Sequence, residues 1–259
     1  MNILITNDDG IHASGIMILK QTLDKIAKVY VVAPDRPRSA SGHSITLHKP
    51  LRAEHVKLSD GSFGYSSNGT PSDCVSLGLQ AIIEEPVDFV VSGINLGPNL
   101  GWDLTYSGTV SAAMEGAIIG VPPIAVSVAS FDSDVDYQVA ADIVLSVIEV
   151  LKRNILPEHF LLNINVPPLS ADKIKSIEVT KQGKRRYAGK IMKRTDPFGR
   201  DYYWLGGDDP VDYLDEETDV KAISEGKVSI TPIHLDLTDY NSLDVVRNMG
   251  VEELLHKLV

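Results

Sequence analysis

Cysteine is nearly absent: Cys74 is the single thiol in 259 residues, so no disulfide can form within the chain. A lone thiol is ordinary in a reducing compartment. No uninterrupted apolar run approaches the ~18 residues a membrane-spanning helix needs. The N-terminus carries no basic region followed by an apolar segment and a small-residue cleavage site, so the expected location is the cytoplasm, with no membrane partner. Basic residues are scarce relative to acids: Lys+Arg 24 against Asp+Glu 35 gives a net charge of -11. Long nucleic acid is therefore disfavoured as a partner, because phosphate backbones are gripped mainly by cationic surface.

Several signatures are missing as well. No G-x-x-x-x-G-K-[ST] occurs, and no G-x-G-x-x-G follows the first apolar run, which argues against a Walker-type NTPase and a dinucleotide fold. G-x-S-x-G and H-E-x-x-H are also lacking, which removes the serine-hydrolase elbow and the zincin helix.

What remains is a pattern of apolar runs alternating with helical periods. Ile3 to Thr6 is a short apolar run, and Ile16, Leu19, Leu23 and Ile26 recur at helical spacing before a second run at Val29 to Ala33. The alternation continues with helices predicted at about 71–83, 109–119 and 137–153, and strands at Phe89–Ser92, Ile124–Val128 and Leu161–Val166. Such alternation predicts an α/β, mostly parallel sheet with helices on both faces. Between about 40 and 66 the period shortens; strands at Ser44–Leu47 and Arg52–Val56 and a turn at Asp60-Gly61 predict a hairpin at the sheet's margin.

The composition shifts near residue 176, which divides the chain into a 1–175 core and a 176–259 segment: a β-rich arm closed by a helix from about Leu243 to Leu258. Seven basic residues and no acid lie between Lys181 and Arg194, and seven acids and no base lie between Asp208 and Asp219. Complementary blocks are expected to meet, within one subunit or between two. A phosphate-steering basic patch and a solvated or interface arm are both open readings.

In open parallel sheets ligands bind beyond the carboxyl ends of the strands. The first strand delivers Asp8 and Asp9, two adjacent carboxylates that raise each other's pKa unless a cation neutralises them. A hard divalent ion such as Mg²⁺ or Mn²⁺ suits two aspartates supplemented by neutral oxygens from Ser39 and Asn95. The alternative is a turn ahead of Gly10 that caps the next helix. In "YSGTVSAAMEG" (106–116) the backbone N–H groups near Ser107, Gly108 and Thr109 open a helix and suit phosphate, or else Ser107 or Thr109 simply caps it. Asn68 in "NGTPSD" is either a pocket donor or a turn residue. "DSDVD" (132–136) reads as a helix-capping loop, because Tyr137 stands where a calcium loop needs Gly. His234 is a candidate acid.

Five blocks, "ITNDDGIHASGI", "VVAPDRPRSASGHSITL", "NGTPSDCV", "SGINLGPNLG" and "YSGTVSAAMEGA", closely resemble the SurE survival-protein family, in the right order over most of residues 1 to 120. The resemblance implies a Rossmann-like, divalent-metal phosphomonoesterase acting on nucleoside 5'- and 3'-monophosphates in the cytoplasm. By motif position it implies one metal per subunit on Asp8, Asp9, Ser39 and Asn95. A carboxylate bound to a metal can still accept a proton through its second oxygen, so Asp8 or Asp9 is expected to orient the attacking water. It also implies dimers or tetramers that exchange C-terminal segments. Trp102-Asp103 stands where the family's pattern is expected to be more polar and acidic, which bears on substrate preference. The rival readings are a nucleotide-binding module without turnover, a transferase and a structural interaction protein.

Overall fold

The computed structural model describes residues 1–186, 191–205 and 210–257. The chain opens as β1 (Asn2–Thr6), α1 (Ser14–Leu23) and β2 (Lys28–Pro34), then a hairpin of β3 (Ala53–Lys57) and β4 (Phe63–Ser67). There follow α2 (Pro71–Leu77), β5 (Phe89–Leu96), α3 (Gly108–Ile119), β6 (Pro123–Val128), α4 (Gln138–Leu151) and β7 (Leu161–Val166). The second part holds β8 (Ile177–Val179), β9 (Lys184–Arg186), β10 (Ile191–Thr195), β11 (Asp201–Leu205) and β12 (Val211–Tyr213). It ends with α5 (Asp219–Ser224), β13 (Val228–Ile233) and α6 (Leu243–Asn248).

Nine strands form one sheet in the order β3-β4-β2-β1-β5-β6-β7-β13-β8. From β4 to β7 every pairing is parallel, while β3 pairs antiparallel with β4, and β13 antiparallel with β7. Side chains alternate across a strand, and the two faces sort accordingly. Ile3 and Ile5 of β1 pack with Leu19 of α1 and Val144 of α4, whereas Leu4 packs on the other face with Val75 of α2 and Ala112 of α3. Covering helices on both faces explain why β1, β5, β6 and β7 are buried along their length instead of alternating with polar residues.

The α/β class and the order of its core elements are as the periodicity predicts, and the differences have local causes. Residues 44–47 form no strand: the N–H and Oγ1 of Thr46 donate to Asp73, and the Oγ1 of Thr70 donates to the Ser44 carbonyl. Side chains at the head of α2 thus take the bonds a ladder would have used. The hairpin partner is 63–67, joined through the predicted Asp60-Gly61 turn. The predicted helix at 71–83 is α-helical to Leu77 and continues as a π-helical turn over Gly78–Ile82. The C-terminal helix stops at Asn248, where Gly250 takes φ +73°, and a 3₁₀ segment follows over Val251–Lys257. Leu258, where that helix was expected to end, lies outside the described residues.

β8 and β13 complete the main sheet, so the sheet itself runs across residue 175. The charge blocks meet within the chain. Arg185 of β9 stands opposite Asp212 of β12 and donates to both of its oxygens at 2.6 and 3.0 Å, and Lys181 lies 3.4 Å from Glu217. Of the same blocks, Lys190, Asp208 and Asp209 lie outside the described residues. The 132–136 loop leads into α4, with the Asp136 carboxylate accepting from the Gln138 N–H at 2.8 Å.

One close contact ties α1 to the strand that carries Asn95. A Cβ on Gly15 would stand 2.2 Å from the backbone oxygen of Ile94. Gly15→Ala is expected to lift α1 from β5 and lower the unfolding free energy by about 2 to 3 kcal/mol, measured by denaturant titration.

Candidate active site

The carboxyl ends of β1, β2 and β5 open into a pocket of about 530 Å³. Asn7, fully buried, braces the turn beyond β1: its Nδ2 donates to the Gly10 carbonyl at 2.9 Å and its Oδ1 accepts from the Gly10 N–H at 3.1 Å. This turn presents Asp8 and Asp9. Neither caps α1, whose N-cap residue is Ala13 with no side-chain cap. The turn half of the plainer reading holds and the capping half does not. The second loop joins here too, through the Arg38 N–H on the Asp8 carbonyl at 2.7 Å.

Asp8 is 5 % exposed, and its Oδ1 accepts from the Thr109 hydroxyl at 2.6 Å. Burial pushes its carboxyl up from the ordinary 3.8 to about 6; the Thr109 bond opposes the rise and neighbouring Asp9 adds to it. Asp9 is also raised, chiefly by burial, against a bond from the Leu96 N–H at 3.3 Å. The register between β5 and β6 shifts between Ser92 and Asn95, an irregularity that re-aims the strand end. Beyond it the Asn95 Nδ2 donates to the Gly97 carbonyl at 2.8 Å, which leaves the amide oxygen for other use.

Helix α3 points its N-terminus at the acidic pair. Ser107 is the N-cap, its Oγ accepting from the Val110 N–H at 3.1 Å, and the first-turn N–H groups of Gly108 and Thr109 have no intrahelical acceptor. Gly108 is required by close approach. A Cβ there would meet the Asp8 Cβ at 2.8 Å, the Ser41 Oγ at 2.9 Å and the Asp8 Oδ2 at 3.0 Å.

Of the residues singled out by sequence, Asp8, Asp9, Ser39, Asn95 and Ser107 line one pocket, with Gly108 and Thr109 packed against Asp8. Thr109 is itself fully buried, its hydroxyl committed to Asp8. Asn68 is not among the lining residues; its Oδ1 accepts from the Arg52 N–H at 2.9 Å and its carbonyl from Arg38, so it joins the hairpin to the second loop. His234 is exposed just past β13 and Trp102 is half exposed, and neither lines the pocket.

Sequence reasoning missed the group that fixes the glycine-rich loop. The Asn99 N–H donates to Asn165 Oδ1, its Nδ2 donates to the Ser127 hydroxyl, and its carbonyl accepts from both Asn163 and Asn165, all within 2.7 to 2.9 Å. The signal was present in "LLNINV", where two asparagines interrupt an apolar strand at alternate positions. Asp103, Tyr106 and Phe131, also missed, line the same pocket.

The family model described as Survival protein SurE matches residues 3–189. This chain belongs to the SurE family. The relative named 5'-nucleotidase SurE of Geobacter sulfurreducens is 49% identical over 249 residues, 96% of this chain and 93% of the relative. That of Heliobacterium modesticaldum, with the same name, is 51% identical over 248 residues, 95% and 90% of the two chains. The crystal structure of the SurE protein from Aquifex aeolicus superposes with a TM-score of 0.83 at 39% identity, covering 96% of this chain and all of that one. The fold is thus shared with a solved SurE protein.

The donor set fits a hard divalent cation. It offers two carboxylates, a hydroxyl and an amide oxygen, and no Lys, Arg or His is among the residues that line the pocket. Among the described residues no group of three His, Cys, Asp or Glu is placed to hold a metal, so the neutral oxygens of Ser39 and Asn95 are needed to complete the set.

Proposed function

We propose that this chain is a 5'-nucleotidase, a divalent-cation-dependent phosphomonoesterase that hydrolyses nucleoside 5'-monophosphates, and 3'-monophosphates, to nucleoside and phosphate. The observation that carries this reading is the meeting of Asp8 and Asp9 with the N-terminus of α3 in a pocket that supplies no cationic side chain. The relatives' printed name supports the substrate class.

Asp8, Asp9, Ser39 and Asn95 would hold one Mg²⁺ or Mn²⁺ per subunit. When bound, such an ion supplies positive charge to the phosphoryl oxygens and makes a water more acidic. The protein does the rest. The N–H groups of Gly108 and Thr109 and the Ser107 hydroxyl bind phosphoryl oxygens, adding the field of the helix terminus. Thr109 holds one Asp8 oxygen and the Leu96 N–H holds one Asp9 oxygen, leaving the second oxygen of each to meet the cation or take the proton of the attacking water. Water adds to phosphorus, the bond to the ribose oxygen breaks, and that oxygen leaves with a proton from solvent.

Phosphate release from a panel of nucleoside monophosphates should require Mg²⁺ or Mn²⁺ and stop in EDTA. Nucleotide binding without release under either metal would overturn hydrolysis in favour of a binding module.

The assembly belongs to the proposal as well. The 176–259 segment leaves Ile191, Trp204, Leu237, Val245 and Met249 largely exposed, which supports its covering another copy in a homodimer or homotetramer. Light scattering should then return a mass two or four times that of the chain. No helix among the described residues is long and apolar enough to cross a membrane, and we place the protein in the cytoplasm, with nucleoside monophosphates as partners and long nucleic acid disfavoured by the net charge of -11.

A further inference from the structure

The pocket is graded from floor to rim. Asp8, Asp9 and Ser107 lie at its floor, while Phe131 and Tyr106 stand at its mouth, 80 % and 68 % exposed. Large aromatic surfaces left in water are costly, and two of them at one mouth form a feature the phosphate chemistry does not use. They come from different segments. Phe131 follows β6 and lies over the backbone of Gly97, so close that a Cβ on Gly97 would stand 2.7 Å from its ring. Tyr106 ends the 3₁₀ turn Gly101–Thr105, and its carbonyl accepts from the Gly42 N–H at 3.1 Å, which locks it to the loop that carries Ser39. Gly97 thus backs the Phe131 ring and the Gly42 bond fixes the Tyr106 backbone, while both side chains stay largely exposed.

The side-chain N–H donors of the two lining asparagines, and the carboxylate of Asp103, are engaged within the protein. The Asn95 amide donates to Gly97, the Asn99 amide donates to Ser127, and Asp103 lies 3.6 Å from Arg185.

We propose that Phe131 and Tyr106 are the nucleobase platform of this site: the base is held by stacking on their rings, with no hydrogen-bond readout of its edge. The inference rests on the nucleotidase reading for the phosphate end and adds the element that distinguishes a nucleotide from any other phosphomonoester. Stacking accepts every base because every base has a flat face. Selectivity among bases is accordingly weak and follows ring size, purines ahead of pyrimidines.

The test uses two probes on wild type, Phe131→Ala, Phe131→Leu, Phe131→Tyr and Tyr106→Ala. Adenosine binding is measured by calorimetry; the nucleoside is neutral, so this arm needs neither metal nor turnover. Phe131→Ala and Tyr106→Ala should each weaken it between about fivefold and a hundredfold, Phe131→Leu should weaken it nearly as much, and Phe131→Tyr should restore it. In the second arm the ratio of kcat/KM for AMP to that for ribose 5-phosphate should fall by a similar factor in the alanine variants. Adenosine affinity unchanged in both alanine variants overturns the proposal. So does an equal loss on AMP and ribose 5-phosphate, or a change in assembly mass with adenosine binding intact, which would make these rings an interface between copies. If wild type releases no phosphate from either substrate, hydrolysis fails, while adenosine binding that depends on Phe131 still upholds the platform.

Discussion

Replacing Asp9 by asparagine is expected to reduce phosphate release from AMP by a thousandfold or more at saturating Mg²⁺ or Mn²⁺, with the fold intact. The argument starts from charge. The pocket's lining carries acids and no cationic side chain, so in the proposed reading a phosphate enters with a divalent ion that the two carboxylates would hold. An amide retains shape and one oxygen but loses the charge that binds the ion. Asp8→Asn should behave alike in catalysis, with the added feature that its amide oxygen can still accept from Thr109. Activity of either variant within tenfold of wild type would remove the acidic pair from the reaction.

The same substitution has the opposite sign for stability. In protein stripped of divalent cations the Asp8 carboxyl titrates near 6 when folded, against 3.8 ordinarily, because burial disfavours its charge. A raised carboxyl destabilises the fold above its folded pKa and does nothing below its unfolded one. Stripped wild type should therefore lose about 3 kcal/mol as pH rises from about 4 to above 6, the size of a shift of about two pKa units at a site this buried. Asp8→Asn removes that loss. Without metal it should melt above wild type at pH 7.5 and together with it at pH 4, and adding Mn²⁺ should raise the wild-type midpoint alone. Scanning calorimetry at the two pH values reads the difference.

How much of this was legible in the sequence depends on whether each signal was local. The core strands and helices announced themselves because burial on both faces gives continuous apolar runs, as in Ile3 to Ile5 and Ile124 to Val128. Asp8, Asp9, Asn95 and Ser107 were legible because they stand at strand ends or at a helix start, where the fold class places ligands. Residues 44–47 misled because alternation alone cannot reveal that Asp73, far along the chain, will take the backbone bonds. β13 was missed since Ser229 and Thr231 interrupt its apolar run, and their hydroxyls are satisfied by Thr180 from a segment about fifty residues earlier. Asp219 went unread for the same reason: in sequence it is one acid of seven in a charged block, and only the fold buries it.

Asp219→Ala is expected to cost about 3 to 5 kcal/mol in stability and to damage the active site from a distance. The side chain is fully buried, and its carboxylate accepts from the N–H of Gly101 at 2.9 Å and from those of Gly183 and Val220, both at 2.8 Å. Burial raises its pKa and these three bonds oppose the rise. Removing it leaves buried backbone donors unpaired, each costing about 1 to 3 kcal/mol. Gly101 heads the turn that carries Asp103 and Tyr106 into the pocket, and Gln182 holds the other side of the same residue through its Nε2 on the Gly101 carbonyl at 2.7 Å. Asp219 is thus a positioning residue that fastens the glycine-rich loop to the arm. The folded fraction of Asp219→Ala should show a raised KM for AMP, whereas Asp219→Asn, which keeps one acceptor oxygen, should recover part of both stability and KM. A destabilised variant with unchanged KM would mean that the loop keeps its place without the tie, and an unchanged denaturation midpoint would mean that the carboxylate contributes nothing to the fold.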